Sequence, residues 1–140
     1  MNLDVFRHAP SRAQLVRFEE ALKAYPPADI ETIHTFGPGF YARTIKVKAG
    51  IYLSGMVHAT AHIFMVSEGD ITVVTEEGMK RVGAGYQAVC RSGLKRAGFT
   101  HADTVCTNVH ITNETDLVKL QAALIEPEGL IEHEGAPCLG

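Results

Sequence analysis

Three histidines carry the clearest chemical possibility in this chain: His58 and His62, four residues apart, and His110. Neutral imidazole is the commonest side-chain ligand of divalent transition metals such as zinc, iron, nickel and manganese. A three-histidine set leaves positions open for water or substrate, as catalytic centres require. The spacing of the first pair sets a condition on this reading. In a helix both rings would share a face, but the β-branched and glycine-rich flanks argue against a helix here. In an extended strand four residues span about 13 Å, too far for one ion. His58 and His62 therefore share a metal only if the chain reverses at Ala59-Thr60-Ala61. The plainer alternative is that each is an ordinary polar residue of a strand, held by hydrogen bonds.

The elements that must position these rings can be read from composition and periodicity. With 140 residues, 46% hydrophobic and 21% charged, the chain has ordinary globular composition. One domain of this size buries about two thirds of its unfolded surface, without disulfide or metal staples. Thirteen Lys and Arg against sixteen Asp and Glu give a net charge of −3, and no basic run is present. That excludes the electrostatic footprint of a nucleic-acid binder. No apolar run approaches the ~20 residues of a membrane helix, and the N-terminus lacks a signal-peptide pattern. Cys90, Cys106 and Cys138 are odd in number and widely spaced, which suggests free thiols and a cytoplasmic location.

Ser11 with Gln14 reads as a capping box, followed by Leu15, Phe18 and Leu22 at helical spacing; the helix should end before Pro26-Pro27. From Ile30 to Thr112 the period changes to two. Residues 41–48 alternate, with Arg43, Ile45 and Val47 on one face. The run Ile63–Val66 reads as a strand buried on both sides, and 71–75 and 104–111 are rich in β-branched residues. On the last of these, Cys106, Asn108 and His110 share one face. Val105, Val109 and Ile111 share the other, which would meet a sandwich core or a dimer seam. Turn signals such as Glu68-Gly69-Asp70 and Gly83-Ala84-Gly85 recur every 8–12 residues, predicting an antiparallel sandwich or barrel. Helical spacing returns from Thr115 to Ile125, with Asn113 or Thr115 as cap. The tail after Pro127 has little periodicity and is expected to be loose or docked on a partner.

A glycine framework then suggests a family. Counting back from Gly69 places His62 where cupins carry the glutamate of their first motif, His58 on the second histidine of H-x-H, and Met56 on the first. Gly85, Arg91-Ser92-Gly93, Arg96 and Thr100 follow the second cupin motif, with Arg96 at the histidine position and Thr100 at the asparagine position. Over roughly residues 35–112 the chain resembles the cupin family. It is also similar to small phage and prophage cupin-like proteins through His34-Thr35-Phe36, Gly39–Arg43, Gly69-Asp70-Ile71, Lys95–Gly98 and Asp103-Thr104-Val105. Only one of the four usual ligands, His58, stands unchanged.

The resemblance implies an all-β fold, an antiparallel double-stranded β-helix or jelly-roll barrel over 30–112. An N-terminal helical segment (1–29) and a C-terminal helix and tail (113–140) flank it. It also implies a lumen holding a divalent transition metal on His58, His62 and His110 and a small, anionic organic molecule. Arg96, in a ligand's usual place, would anchor a carboxylate or phosphate through its planar fork, or else pair with Asp103 or Glu68. Tyr41, Arg43 and Asn108 are further candidates for the lumen wall. His34 is expected on a wall or the surface, His101 at a hairpin tip, and Cys90 and Cys106 as small buried hydrophobes. Function then divides between a Lewis-acid or oxygenase-type enzyme, a non-catalytic sequestering or sensing module, and a metal-free acid/base isomerase. The apolar odd face of residues 105–111 and edge strands with few prolines predict a homodimer.

Overall fold

Period-two alternation decides which side chains meet inside the molecule, and the computed structural model, which describes residues 3–7 and 9–124, shows it most plainly along residues 62–66 and 104–111. Nine strands are described: β1 (Glu31–Gly37), β2 (Phe40–Val47), β3 (Tyr52–Ser54), β4 (His62–Glu68), β5 (Asp70–Thr75), β6 (Gly78–Gly83), β7 (Gln87–Cys90), β8 (Arg96–Thr100) and β9 (Thr104–Ile111). They form a five-stranded sheet in the order β1-β2-β9-β4-β7 and a four-stranded sheet in the order β3-β8-β5-β6. Each described strand pair is antiparallel. From β6 onward the chain crosses between sheets at each step, the path of a jelly-roll. The 101–103 turn bearing His101 is therefore a crossover from β8 to β9, not the hairpin tip expected, because the two strands lie in different sheets.

Inward residues of the two sheets face each other. Ile45 and Val47 of β2, Phe64 and Val66 of β4, and Cys106 of β9 pack against Leu53 and Ile71 of the other sheet. The turn between β4 and β5 needs Gly69: its φ is +101°, and a Cβ there would lie 2.4 Å from the Asp103 carbonyl oxygen. Both the backbone angle and the close approach exclude a side chain.

Helix α1 (Arg12–Leu22) starts with the expected box, the Ser11 hydroxyl accepting from Gln14 N and the Gln14 side chain accepting from Ser11 N. Leu15, Phe18 and Leu22 pack on Val74 and Ala97, on the outer face of the four-stranded sheet. Lys95, 1% exposed, is held there by Glu19, which also accepts from the Ser54 hydroxyl. Nothing in the alternation of a strand marks a lysine for burial; α1 supplies its counter-charge.

The five-stranded sheet's outer face carries no such helix among the described residues. Ile63 is 42% exposed and Ile111 88%, so β4 is not buried on both sides as its apolar run suggested, and the odd face of β9 is not core. An antiparallel sheet covered on one side still presents its other face to solvent. Helix α2 (Leu117–Leu124) is capped by Asp116, whose carboxylate accepts from Val118 N and Lys119 N, rather than by Asn113 or Thr115. Leu120 and Leu124 pack on Tyr41 of β2. The tail after Pro127 and Cys138 lie outside the described residues. No described helix is long and apolar enough to cross a membrane.

Candidate metal centre

The condition set by the His58–His62 spacing is met. The chain bends through residues 59–61 and re-enters the sheet at His62, the first residue of β4. Two backbone bonds hold this bend: Gly93 N donates to the His58 carbonyl at 2.9 Å, and Ala59 N to the Leu124 carbonyl at 2.6 Å. β9 lies beside β4, with Ile63 opposite Val109, so His110 enters the lumen next to His62. The ring centroids of His58 and His62 are 4.5 Å apart, and those of His110 lie 4.8 and 4.9 Å from the other two. The two sides of the 59–61 bend and the distant strand β9 thus deliver three imidazoles to one place. All are buried, at 6, 5 and 2% exposure.

Burial controls their charge. His62 is lowered to about 3, by desolvation first and then by the charges of Arg96 and His110. His110 is lowered to about 4, again by desolvation first, followed by Arg96 and Arg43. Both rings are neutral at neutral pH, the form that binds metal. The geometry suits an ion: one nitrogen from each ring lies within 4.8 Å of the others, against about 3.4 Å between tetrahedral ligands that sit ~2.1 Å from zinc. Nδ1 of His110 is buried with no hydrogen-bond partner among the described atoms, which normally costs a fold about 1–3 kcal/mol. The residues therefore fit a divalent transition metal, and a cluster made only of imidazoles suits zinc, iron, nickel or copper better than magnesium or calcium.

Arg96 points into the lumen, 2% exposed. Its Nη2 lies 3.2 Å from His62 Nε2, its Nη1 donates to Cys90 Sγ at 3.1 Å, and its guanidinium lies 5.0 Å from the centre of the Phe64 ring. A guanidinium only donates, so Nε2 of His62 is the acceptor, and this nitrogen would bind a metal only with Arg96 Nη2 turned away from it. Asp103, offered as an alternative partner, accepts from Ala49 N and lies 3.6 Å from Lys48. Cys106 is buried, as expected. Cys90 is only half-buried and touches a charge, so it is not simply a small hydrophobe.

A cavity of about 340 Å³ opens beside the cluster. His58 and His110 form its inner wall, Tyr41, Arg43 and His34 one side, and Leu117, Leu120 and Leu124 of α2 the other. Tyr41 stacks between Phe36 and His110, with centroids at 5.0 and 6.1 Å, and its hydroxyl lies 2.6 Å from His34 Nδ1. His34 is lowered by desolvation and by Arg43, while burial raises Tyr41. Of the candidate wall residues, Tyr41 and Arg43 line this cavity. Asn108, buried on the inward face of β9, and Arg96 lie beyond its wall. His34 turns out to be a partner of Tyr41. Sequence reasoning missed the α2 leucines and Met56 as cavity walls: the leucines' helical stripe was legible, but not what it would cover.

Comparison with known proteins gives the same architecture. No family model matches the chain, and no curated protein matches it. Among solved structures, KdgF from Halomonas sp. is similar at 17% identity and a TM-score of 0.55, over 67% of this chain and 92% of that one. A cupin superfamily protein from Desulfitobacterium hafniense matches at 4% identity and a TM-score of 0.54, over 64% and 83%. A salicylate 1,2-dioxygenase from Pseudaminobacter salicylatoxidans matches at 14% and 0.55, over 80% of this chain but only 34% of that one. Sheet order, lumen and structural neighbours agree that this chain has the cupin fold.

Proposed function

We propose that the protein binds a divalent transition metal through His58, His62 and His110 and takes a small anionic organic molecule in the adjoining cavity. The observation that carries this reading is the convergence of three buried imidazoles, one from each side of the 59–61 bend and one from β9. A bound ion would supply Lewis-acid or oxygen-activating chemistry. The chain's own residues would do the rest. Arg43 offers a guanidinium to an anionic group at the cavity wall. Tyr41, fixed by His34 and by its stack on His110, presents a phenol beside the same space. The α2 leucines exclude water from the opposite side. Similarity to a salicylate dioxygenase and to a DMSP lyase from Ruegeria pomeroyi is compatible with catalysis on small acids.

Elemental analysis of protein purified without chelator tests the metal: a transition metal should be present, and His58→Ala should remove it. Metal-free protein that takes up no zinc, iron, nickel or manganese on titration would sink the reading. One observation favours sequestration over turnover: α2 closes on the cavity and its last carbonyl is tied to Ala59. A substrate screen with the loaded protein separates the two.

A homodimer belongs to the same proposal. Ala42, Val109, Ile63 and Val89 lie side by side across the outer face of the five-stranded sheet, with Val89 75% exposed. A second copy would cover this row through an interface above roughly 1,000 Å². Sedimentation should give twice 15.2 kDa, and Val89→Lys should halve it; a wild-type monomer at micromolar concentration refutes it.

A further inference from the structure

The lumen has a second opening, away from the histidine cavity. A cleft of about 480 Å³ lies between β5, β6 and β7, and Arg96 lines it. Arg96 therefore stands between the histidine cluster and the cleft: Nη2 turns to His62, while Nη1 turns to Cys90 in the cleft. The walls are apolar, formed by Phe64, Val73, Val82, Tyr86, Ala88 and Leu94. Three cations (Arg96, Lys80 and Arg91) line it against one carboxylate, Glu77, which is already held by Arg91 at 3.0 Å.

We infer that this cleft is a second ligand site, for an amphiphilic carboxylate whose acid group reaches Arg96 and whose apolar body lies along the β5–β7 wall. Three features support that class. The walls offer half-buried apolar surface, worth about 25 cal/mol for each Å² covered. The guanidinium is fixed over the Phe64 ring, so little ordering remains to be done on binding. Its Nη1 bonds a thiol, a weak acceptor, which a carboxylate oxygen would replace with a charge-assisted bond. Lys80, 5.1 Å from the centre of the Tyr86 ring, adds positive charge at the edge. The inference goes beyond the proposed metal function and does not depend on it.

Cys90 reports on the site, because it is half-buried and lines the cleft while Cys106 is buried. Alkylation of Cys90 by iodoacetamide, resolved by peptide mass spectrometry, is followed with octanoate, octanol or inorganic phosphate as probe. Octanoate at ten times its Kd should slow the reaction about tenfold, since only the empty fraction reacts. Arg96→Gln should weaken this protection about 10- to 100-fold, the worth of a bond to a charged group. Ala88→Leu, which fills the cleft and keeps Arg96, should abolish octanoate protection even where Arg96→Gln fails to fold. His58→Ala should leave protection intact. Absence of protection by millimolar octanoate overturns the inference, as does equal protection by octanol or protection by phosphate alone. Loss of protection in His58→Ala would put the acid on the metal, sinking the second site while sparing the proposed function. Protection by octanoate in a protein that takes up no metal would do the reverse.

Discussion

Strands β2, β4 and β9 each join an apolar end of the lumen to a histidine end, β9 running opposite to the other two, and the two ends are built on opposite terms. At the first, Ile45, Val47, Val66 and Cys106 meet Leu53 and Ile71 in a dry core. At the second, two to four residues further along the same strands, stand Tyr41, Arg43, His62, Asn108 and His110. Alternation is unbroken through both; only the chemistry of the inward side chain changes. The apolar end repays burial by removing surface from water. The histidine end forgoes that gain and holds polar rings neutral, at a cost that bound metal would recover. Stability and chemistry are thus separated along single strands, and each end can be perturbed alone.

The largest effect on stability is expected at the apolar end. Leu53 is fully buried, and Leu53→Ala should cost about 2–5 kcal/mol, read from urea unfolding. A loss below about 1 kcal/mol would show that this end is not the stabilising one.

At the other end His110→Leu should cut metal affinity at least about 100-fold, the scale of losses when a metal site is disturbed. It should leave the stability of metal-free protein equal or higher, because an apolar side chain replaces a buried ring whose Nδ1 has no partner. Marked destabilisation without metal would mean that His110 is structural.

The pH dependence of chelator-treated protein sharpens the contrast. His62 and His110 sit at about 3 and about 4 in the folded state, below the ~6.5 of an unfolded chain. The unfolded chain therefore binds more protons between those values. The stability tied to neutral rings is fully present above pH ~6.5 and is lost as pH falls toward the folded-state values. Between pH 7 and 5 each ring should contribute a slope approaching about 1.4 kcal/mol per pH unit, and His62→Gln should flatten it. An unchanged slope in that variant would assign the effect elsewhere.

The smallest effect is expected on the outer face. Ile111, 88% exposed, belongs to neither end, so Ile111→Thr should change the stability of one chain by less than about 0.5 kcal/mol. A larger loss would mean that this face is already covered by another chain.

Much of this arrangement is legible in the residues themselves. The parity of Cys106, Asn108 and His110 placed them on one face, and the structure turns that face into the lumen. Ser11 and Gln14 announced the start of α1, because a capping box is a contact between near neighbours. Gly69 marked a turn that tolerates no side chain, and from it the histidine register could be counted. Reading failed where the deciding partner is remote. Ile63–Val66 looked doubly buried because sequence records hydrophobicity, not whether a second layer covers a face. The cap of α2 was misplaced among close candidates that differ only in how the backbone turns.

By itself, then, the sequence determined the local terms: which residues alternate, where helices begin, which turns need glycine, and which side chains can ligate or carry charge. Only the tertiary structure decided that the bend at 59–61 brings His58 back to His62 and that His110, 48 residues later, closes the cluster. It alone set Arg96 between His62 and the β5–β7 cleft, gave Lys95 its counter-charge from α1, and laid α2 along the histidine cavity. The reason is physical. Periodicity and capping follow from interactions within a few residues, whereas a binding site is a set of distances between strands whose pairing is fixed by burying the whole core at once.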